Sequence, residues 1–547
     1  MNNETILLLE KYFDVAFAAP DGVKKLRELI LSLAMQGKLV PQDPSDQSAS
    51  ELLKEIEAEK SRLVKDGKIK ASKALPEINP EEVPYNLPKS WEWVRLGSLF
   101  RVTSGTNLTK DKMQEGIYPV YGGNGIAGYH SEFNTEKTTI VIGRVGYYCG
   151  SIHLTPKHAW ITDNAFFTIY DEKRLYQPFV IWLLKKINLQ TDTSATAQPV
   201  ISGSKIYPIL IPLPPLAEQR RIVAKIDELM ARCDELEKLR QVHAQKQITV
   251  HNAALNQLLT AKDHNDFKTS WHFITQHFGE LYSVKANVTE LRKAILQLAV
   301  MGKLVPQDPN DQPASELLNA IEVEKNRLVK EGKIRMSPHL PEISPDEVPY
   351  NLPKGWMWIK LGCVGAFERG RSKHRPRNDQ RLFSNGSYPF VQTGDVSKAK
   401  LTNYEINSCS SYYNDFGLQQ SRLWEKGTLC ITIAANIAET GFLGMEACIP
   451  DSVVAFISID ESLSKFVKVF IDIAKQHLEH FAPSTAQKNI NLGIINDLAF
   501  PLPPLAEQHR IVAKIDQLMT LCDELEKQID IANSKKTNLL NSVMTKV

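Results

Sequence analysis

Apolar residues recur at helical spacing in two segments near the start of the chain. These are Leu26, Leu29, Ile30 and Leu33 in residues 24–36, and Leu52, Leu53, Ile56 and Leu63 in residues 49–66. The spacing places them on one face and predicts two amphipathic helices. The stretches between and after these segments are dense in Pro, Asn and Asp, which predicts ordered loops or a polyproline-like run. They are GKLVPQDPSDQ and LPEINPEEVPYNLPKSW. The later PLPP is interpreted in the same way.

Two longer segments show the alternating four-and-three spacing of a coiled-coil seam. The apolar positions are 222, 226, 229, 233 and 236 in the first, and 511, 515, 518, 522, 525 and 529 in the second. A helix from Ala217 to Ala261 would have 45 residues and reach roughly 65 to 70 Å. We interpret both segments as spacer helices, the alternative being ordinary helix packing in one globular core. Cys233 and Cys522, equivalent in the seam, are interpreted as core residues.

Two further stretches are rich in β-formers. They contain IVIGRVGYYCGSIHL and AFFTIY in the first, and GTLCITIAANIAETGFLG and VVAFISI in the second. Each stretch ends in an apparent helix, at residues 177–189 and 464–480. We therefore predict two α/β domains built on a curved, bulged sheet, with GRVGYYCG inside a strand.

The chain is duplicated internally. Residues 37–69 align without gaps on residues 302–334, with 26 of 33 positions identical at an offset of 265. The similarity ends after Gly97 and Gly362, and it returns at residues 212–230 and 501–519, where two of 19 positions differ and the offset is 289. Such a repeat is the sequence sign of a duplicated architecture.

Each copy thus holds a nearly identical framework around an insert that differs. The predicted domains are residues 1–97 (framework), 98–211 (first variable domain), 212–268 (central helix and linker), 269–362 (second framework), 363–500 (second variable domain) and 501–547 (closing helix). Two like frameworks present two like surfaces, which suits two copies of one partner.

This pattern resembles the specificity subunits of type I restriction-modification systems along nearly the whole chain. Its most specific sign is PLPPLAEQ-R-IVAKID, which follows each variable domain. The resemblance implies two α/β target-recognition domains separated by long antiparallel coiled-coil helices, in a pseudo-two-fold repeat. It also implies that each variable domain recognises one half of a split, asymmetric DNA target while the helices set the gap.

The same resemblance implies a scaffold that is not an enzyme. Its expected partners are double-stranded DNA, two methyltransferase subunits and, in the full complex, two motor-nuclease subunits. S-adenosylmethionine, ATP and Mg²⁺ are expected on those partners, with no cofactor or metal in this chain. The alternative from another class is a coiled-coil adaptor that binds proteins and has no DNA role.

Composition narrows this picture only slightly. Lys and Arg number 65 against 63 Asp and Glu, so any phosphate-binding surface must be local. The seven cysteines form no CxxC pair and are interpreted as buried thiols in a reducing compartment. No run of 18 apolar residues occurs and the N-terminus is acidic, so we expect a cytoplasmic protein. Nucleotide-loop, amino-methyltransferase and HExxH signatures are absent.

The most basic segment is FERGRSKHRPRNDQR, residues 367–381, which carries six basic side chains against two acids. Such a loop can bind phosphates by counterion release, and arginine can also contact guanine in the major groove. A merely solvated loop is the alternative. The candidate DNA contacts in this insert are Arg369, Arg371, Ser372, Lys373, His374, Arg375, Arg377, Gln392, Thr393, Thr485, Gln487, Lys488 and Asn489.

The first insert has polar residues where the second has arginines. VTSGTNLTKDK and YPVYGGNGIAGY offer hydroxyl, amide and amine groups beside glycines that let a backbone approach closely. A glycine-rich turn without a ligand is the alternative. The candidate DNA contacts here are Ser104, Thr106, Asn107, Lys110, Lys112, Tyr121, Asn124, Arg144, Thr196, Gln198 and Lys205. Thr196 and Gln198 align with Thr485 and Gln487, which favours a shared contact to the DNA backbone over base recognition.

Overall fold

The structure, a computed structural model, divides into two compact units. It describes residues 3–67, 74–146, 149–187, 189, 200–336, 339–480 and 490–546. The first unit comprises residues 1–243 with 531–547, and the second comprises residues 244–530. Each unit contains one framework and one variable domain.

The first unit begins with framework helices and then enters its recognition domain. Its helices are α1 (Asn3–Phe17), α2 (Gly22–Met35), α3 (Ala49–Lys65), α4 (Leu96–Leu99), α5 (Gln177–Lys186), α6 (Gly203–Ile206) and the start of α7 (Leu216–Leu259). Its strands are β1 (Glu92–Arg95), β2 (Phe100–Ser104), β3 (Tyr118–Gly122), β4 (Gly125–His130), β5 (Ile140–Gly143), β6 (Ile152–Leu154), β7 (Trp160–Ile161), β8 (Ala165–Tyr170) and β9 (Leu210–Leu213).

The second unit follows the same order. Its helices are α8 (His264–Gln276), α9 (Phe278–Leu281), α10 (Lys285–Val300), α11 (Ala314–Lys330), α12 (Thr393–Lys398), α13 (Asp415–Gln419), α14 (Glu461–His480), α15 (Leu492–Asp497) and most of α16 (Leu505–Met544). Its strands are β10 (Met357–Lys360), β11 (Ala366–Arg369), β12 (Tyr388–Phe390), β13 (Glu405–Ile406), β14 (Ser411–Tyr413), β15 (Leu423–Trp424), β16 (Leu429–Thr432), β17 (Thr440–Leu443), β18 (Ala447–Cys448), β19 (Val453–Ile457) and β20 (Ala499–Leu502).

The two long helices follow the predicted seams. α7 has 44 residues and passes from the first unit into the second, whereas α16 has 40 residues and passes from the second into the first. Ile222 and Ile226 of the first seam are fully buried, and the equivalent cysteines, Cys233 and Cys522, are 2% and 3% exposed. The predicted fold class, α/β recognition domains with long framework helices, is confirmed.

A two-stranded clamp closes the base of each recognition domain. β1 pairs antiparallel with β9, and β10 pairs with β20 in the same way. The chain therefore leaves and re-enters the framework through adjacent strands, which allows the insert between them to vary. The interpretation of PLPP as a closing segment without strand is wrong for Pro212 and Leu213, which lie in β9. Proline is tolerated there because a two-stranded ribbon consists only of edges.

Both recognition domains contain the same pair of sheets. The larger sheet has the order β2-β8-β5-β6 in the first domain and β11-β19-β16-β17-β13 in the second. The smaller sheet is β4-β3-β7 in the first and β14-β12-β18-β15 in the second, with β3 parallel to β7 and β12 parallel to β18. A register shift between Val120 and Tyr121 provides the bulge that the sequence predicts.

Each recognition domain shares a continuous apolar core with its own framework. In the first unit this core joins Ile30 of α2 and Ile226 of α7 to Phe179 of α5 and Ile142 of β5. In the second unit it joins Ile321 of α11 to Phe466 of α14. Burial of this area fixes each recognition domain on its helices.

Three local predictions are corrected. The first closing helix ends at Lys186, before the predicted residue 189, and the second begins at Glu461, before the predicted residue 464. Among the described residues of GRVGYYCG only Gly143 lies in a strand, because β5 ends there and β6 begins only at Ile152. Cys363 and Cys409 are only partly buried, whereas the other five cysteines are buried.

A buried glutamate ties the framework motifs together in each unit. Glu218 accepts hydrogen bonds from Trp91 Nε1 at 2.8 Å and from Gln42 Nε2 at 2.5 Å. Glu507 accepts from Trp356 Nε1 and Gln307 Nε2, both at 2.8 Å. Burial raises the pKa of both carboxyl groups. Three motifs far apart in sequence, GKLVPQ, SW or GW, and AEQ, therefore meet at one side chain.

The rest of the PLPPLAEQ-R motif supports the same joint. Gln219 Nε2 donates to the Pro214 carbonyl at 3.0 Å, which fixes the turn from β9 into α7. Arg221 forms a two-pronged ion pair with Asp46 at 2.6 and 3.3 Å. The equivalent pair in the second unit joins Arg510 to Asp311 at 2.5 and 3.1 Å. The motif thus holds the start of each long helix against the loop after α2 or α10.

We expect Glu218→Ala to destabilise the first unit strongly, because Trp91 Nε1 would lose its acceptor inside the core. A buried donor without an acceptor costs about 1–3 kcal/mol, and a second donor, on Gln42, is also released. Urea unfolding of Glu218→Ala and of the equivalent Glu507→Ala measures the loss. An unchanged midpoint for both variants would contradict the role assigned to the glutamates.

The glutamates should also make stability depend on pH. A carboxyl whose pKa is raised in the folded state contributes stability that is present below its unfolded pKa and is lost as pH rises through the folded value. Glu218→Gln with Glu507→Gln removes this ionisation while keeping an acceptor for each tryptophan. Relative to this double variant, the wild type should therefore gain stability as pH falls from neutral towards 4.5, the usual Glu value. If the unfolding midpoints of the wild type and the double variant change in parallel over this pH range, the two glutamates do not contribute to the pH dependence of stability.

Candidate nucleic-acid interface

The loop after β2 begins with a close backbone approach. The chain leaves β2 at Ser104 and passes Gly105, where an added Cβ would lie 2.2 Å from the main-chain oxygen of Ile161. Only glycine permits this contact. The next amide, that of Thr106, donates to the same Ile161 oxygen at 2.9 Å. The first residues of the loop are therefore fixed against the end of β7.

Asp163 holds the polar side chains of this loop together. Its Oδ2 accepts from Asn107 Nδ2 at 2.9 Å, and its main-chain oxygen accepts from Ser104 Oγ and from Arg144 Nη1, both at 3.2 Å. Arg144 Nη1 also lies 3.3 Å from Ser104 Oγ, and its guanidinium is 5.3 Å from the Phe166 ring centre. Arg144 Nε is buried without a partner among the described residues. Three candidate residues from two separate segments of the insert thus converge on Asp163.

The other described candidates of the first domain differ in exposure. Lys110, Lys112, Asn124 and Lys205 are exposed. Tyr121 is only 6% exposed, and its hydroxyl lies 3.4 Å from the carbonyl of Leu154, to which it donates. It packs in the small core beneath the sheet. The structure therefore makes Tyr121 a core residue, because β3 is buried on both faces from Pro119 to Gly122.

The second domain repeats this loop geometry with different side chains. An added Cβ at Gly370 would lie 2.3 Å from the main-chain oxygen of Ile449, and the Arg371 amide donates to that same oxygen at 3.0 Å. Arg369 Nε donates to the main-chain oxygen of Asp451 at 3.0 Å. The loop of residues 370–381 is therefore pressed against the segment that precedes β19.

Several charges of this loop are neutralised within the domain. Arg377 Nη2 lies 2.5 Å from Asp451 Oδ2, and Arg375 Nη2 lies 3.7 Å from the same oxygen. Arg381 and His374 both contact Asp379, at 2.7 and 2.8 Å. Hydrogen bonds from Arg381 hold the pKa of Asp379 well below its usual range. The net charge of the segment alone thus overstates its positive field, because Asp451 lies outside it in sequence.

Two basic side chains of this loop, those of Arg371 and Lys373, are not paired with an acid among the described residues. Within the described part of the chain, neither side chain forms a hydrogen bond or an ion pair. Their main chain is fixed, since the Arg371 carbonyl accepts from Ser421 Oγ at 2.9 Å and the Lys373 amide donates to the Gln420 carbonyl at 3.1 Å. Lys373 is exposed and Arg371 half-buried. Both side chains therefore remain candidates for contact with phosphate or base.

Three neighbouring candidates are buried or half-buried in the domain. Ser372 is 7% exposed, which leaves it little surface to offer. Gln392 precedes α12; its Nε2 donates to Ser411 Oγ at 3.1 Å and its amide donates to Asp395 Oδ2 at 2.9 Å. Thr393 begins α12 and is half-buried.

The backbone register makes the two interfaces equivalent. The amides of Thr106 and Arg371 both donate to an isoleucine carbonyl at the end of the short parallel strand, that of Ile161, the last residue of β7, or that of Ile449, the residue after β18. Two residues later come Asp163 and Asp451, each of which accepts on its main-chain oxygen from the last residue of β2 or β11. The candidate residues of both inserts, identified separately, therefore occupy corresponding loops of one scaffold.

Sequence reasoning missed Asp163 and Asp451. A weak signal was present, because IYPV at 117–120 matches SYPF at 387–390, and ITDNA at 161–165 matches IPDSV at 449–453. These short matches align the small sheet and the aspartate of both domains.

Six of the predicted DNA contacts lie outside the described residues. They are Thr196, Gln198, Thr485, Gln487, Lys488 and Asn489.

The described residues offer neither a metal site nor a membrane-spanning helix. No group of three or more His, Cys, Asp or Glu side chains is arranged there to hold a metal ion. No helix among these residues is long and apolar enough to cross a membrane.

Comparison with known proteins gives consistent matches. Residues 88–245 and 353–532 match the family described as the type I restriction modification DNA specificity domain. The chain is 33% identical to the type I restriction enzyme EcoAI specificity subunit of Escherichia coli, over 95% of this chain and 93% of that protein. It is 30% identical to the EcoEI specificity subunit of Escherichia coli, with the same coverage. The crystal structure of the HsdS subunit from Thermoanaerobacter tengcongensis aligns with a TM-score of 0.41 at 19% identity, over 84% of this chain and 98% of that one.

Two recognition domains on a duplicated framework, together with these matches, define a DNA target-recognition protein. The chain belongs to the specificity subunits of type I restriction-modification systems. As a specificity subunit it is not an enzyme. The predicted family is thus confirmed, and the alternative of an adaptor without a DNA role is wrong.

We expect Arg371→Ala with Lys373→Ala to weaken DNA binding by the assembled complex and to reduce methylation of its target. Each lost phosphate contact makes the slope of log K against log salt shallower by about one. The slope of this double variant should therefore be shallower by up to about two. The matched control, Lys54→Ala with Lys65→Ala, removes two exposed lysines from α3. Equal salt slopes for the two double variants would exclude the loop from the interface.

Proposed function

We propose that this chain recognises a bipartite, asymmetric DNA target, with one half-site bound by each recognition domain. The observation that carries this proposal is the equivalence of the two interface loops in backbone and their difference in side chain. Thr106 corresponds to Arg371, and Ser104 corresponds to Arg369. One scaffold with different contact residues is what two different half-sites require.

The framework supports a matching pair of partners. Both units carry the same glutamate joint, the same arginine–aspartate pair and the same clamp. We propose that these like surfaces hold two methyltransferase subunits and, in a full complex, two motor-nuclease subunits. S-adenosylmethionine, ATP and Mg²⁺ would then be bound by those partners, and the chemistry would take place there.

The two half-sites should be recognised by different chemistry. In the first domain the loop offers hydroxyl and amide groups around Asp163, with Arg144 beside them. In the second, the equivalent loop offers Arg371 and Lys373, and arginine suits the O6 and N7 acceptors of guanine. We therefore propose that guanine contacts contribute more to the second half-site.

Lengthening both long helices should change the gap between half-sites and leave the half-sites unaltered. A seven-residue insertion at 243/244 in α7, with another at 530/531 in α16, keeps the heptad phase at the boundary between the units. Seven residues add about 10 Å of helix, or up to about three base pairs. Sequencing the methylated sites of a host that carries the variant measures the gap.

The control carries the same seven residues appended after Val547. An unchanged gap in the insertion variant would show that the helices do not set the distance. A methylation pattern with a single uninterrupted site in the wild type would overturn the bipartite proposal itself.

A further inference from the structure

We propose that Asp451 is a positioning residue that keeps Arg375 and Arg377 away from non-target DNA and holds the second recognition loop for specific contact. The inference rests on the proposed DNA role of that loop. Asp451 Oδ2 lies 2.5 Å from Arg377 Nη2 and 3.7 Å from Arg375 Nη2. The main-chain oxygen of Asp451 accepts from Arg369 Nε at 3.0 Å. One residue thus contacts three of the six basic side chains in the segment.

The segment around Asp451 forms the support of the loop. Gly370 donates from its amide to the Val453 carbonyl at 2.9 Å, and Arg371 donates to the Ile449 carbonyl at 3.0 Å. A Cβ on Gly370 would lie 2.3 Å from the Pro450 carbonyl. Because the backbone of the loop is fixed on both sides of Asp451, its side chain reaches the arginines from a rigid base.

The two oxygens of Asp451 have different surroundings. Oδ2 faces the arginines, whereas Oδ1 is buried and has no hydrogen-bond partner among the described residues. A carboxylate with one unsolvated oxygen is costly unless positive charge lies beside it. The arginines and Asp451 therefore stabilise one another, and both arginines remain paired until another anion competes for them.

This pairing has a consequence for discrimination. Arginines that are free in solution bind any phosphate and raise affinity for all DNA equally. Arginines that are already paired with a carboxylate contribute little to the binding of non-target DNA. They contribute only when a correctly seated duplex replaces Asp451 with phosphate or base. Asp451 would thereby lower non-target affinity more than target affinity.

The first domain provides a matched control at the equivalent position. Asp163 is also a carboxylate two residues after the isoleucine whose carbonyl accepts from the loop amide. Its side chain accepts from the neutral amide of Asn107 at 2.9 Å, whereas Arg144 contacts only its main-chain oxygen. Asp163→Asn therefore removes the same charge without releasing an arginine.

The experiment compares Asp451→Asn with Asp163→Asn in the assembled methyltransferase complex. Binding to a duplex that lacks the target is measured from low to moderate salt, and methylation is measured on the target and on single-base variants of its second half. For Asp451→Asn, we expect a salt slope steeper by one to two, since about one unit is added per released arginine. We also expect discrimination at the second half-site to fall on the order of tenfold. For Asp163→Asn, which alters the interface loop of the first domain, we expect any effect to fall on the first half-site, with no steeper salt slope and no loss of discrimination at the second half-site.

Equal salt slopes and equal discrimination for the two variants would overturn the proposal. A thermal midpoint is recorded for each variant, and Arg375→Gln with Arg377→Gln, which leaves Asp451 in place, gives an independent measurement. This double variant should lower the non-target salt slope by less than Arg371→Ala with Lys373→Ala does. An equal reduction would also overturn the proposal.

Failure of the inference is distinguishable from failure of the proposed function. If Arg371→Ala with Lys373→Ala weakens binding while Asp451→Asn behaves like Asp163→Asn, the loop binds DNA but Asp451 does not control its arginines. If the Arg371 and Lys373 variant binds normally, the DNA role of the loop fails.

Discussion

The architecture depends on a carboxylate placed inside each framework. Glu218 and Glu507 are at most 1% exposed, yet each accepts two hydrogen bonds from groups on separate framework segments. A buried carboxyl is costly without partners, so its partners, a tryptophan and a glutamine, are required with it. This mutual dependence explains why GKLVPQ, SW or GW, and AEQ recur together in both halves of the sequence.

The joint also explains why the inserts are free to differ. It fixes the start of the long helix, and the adjacent β1–β9 or β10–β20 clamp brings both ends of the insert to that point. The recognition domain then needs only a compatible core to pack on α2 or α10 through its closing helix. Contact residues at the far loops are left without framework constraints. In each unit, the residues that stay the same between the two halves thus lie mostly in the framework, and those that differ lie mostly in the recognition domain.

The sequence predicts the framework well because its signals are local and repeated. The heptad spacing of α7 places its ends within two residues, and the equivalent cysteines are buried as the spacing indicates. The interfaces are harder to predict, because their decisive contacts join distant residues. Asp451 follows Arg377 by 74 positions, and Asp163 follows Asn107 by 56. Tyr121 is predicted from the sequence to contact DNA but is only 6% exposed, because its burial depends on a sheet order that the sequence alone does not specify.

The boundary between framework and insert shows which residues stay identical between the two halves of the chain and which do not. In the first unit, Arg95 donates to the carbonyl of Pro208 at 2.8 Å and forms an ion pair with Glu82 at 2.6 Å. In the second, Lys360 takes the place of Arg95 and pairs with Glu347, which lowers the pKa of Glu347 to about 2, and with Asp497.

Pro208 and Asp497 occupy equivalent positions near the ends of the two inserts, two residues before the closing strand. Both cations donate to the main-chain oxygen of the residue at this position, at 2.8 Å for Arg95 and 3.1 Å for Lys360. Only Asp497 adds a carboxylate, which lies 3.0 Å from Lys360 Nζ. The framework cation therefore changes with the insert it touches, while the glutamate joint, which touches only framework, does not. Identity between the halves accordingly depends on which residues contact shared partners, and it decreases where the recognition domain begins.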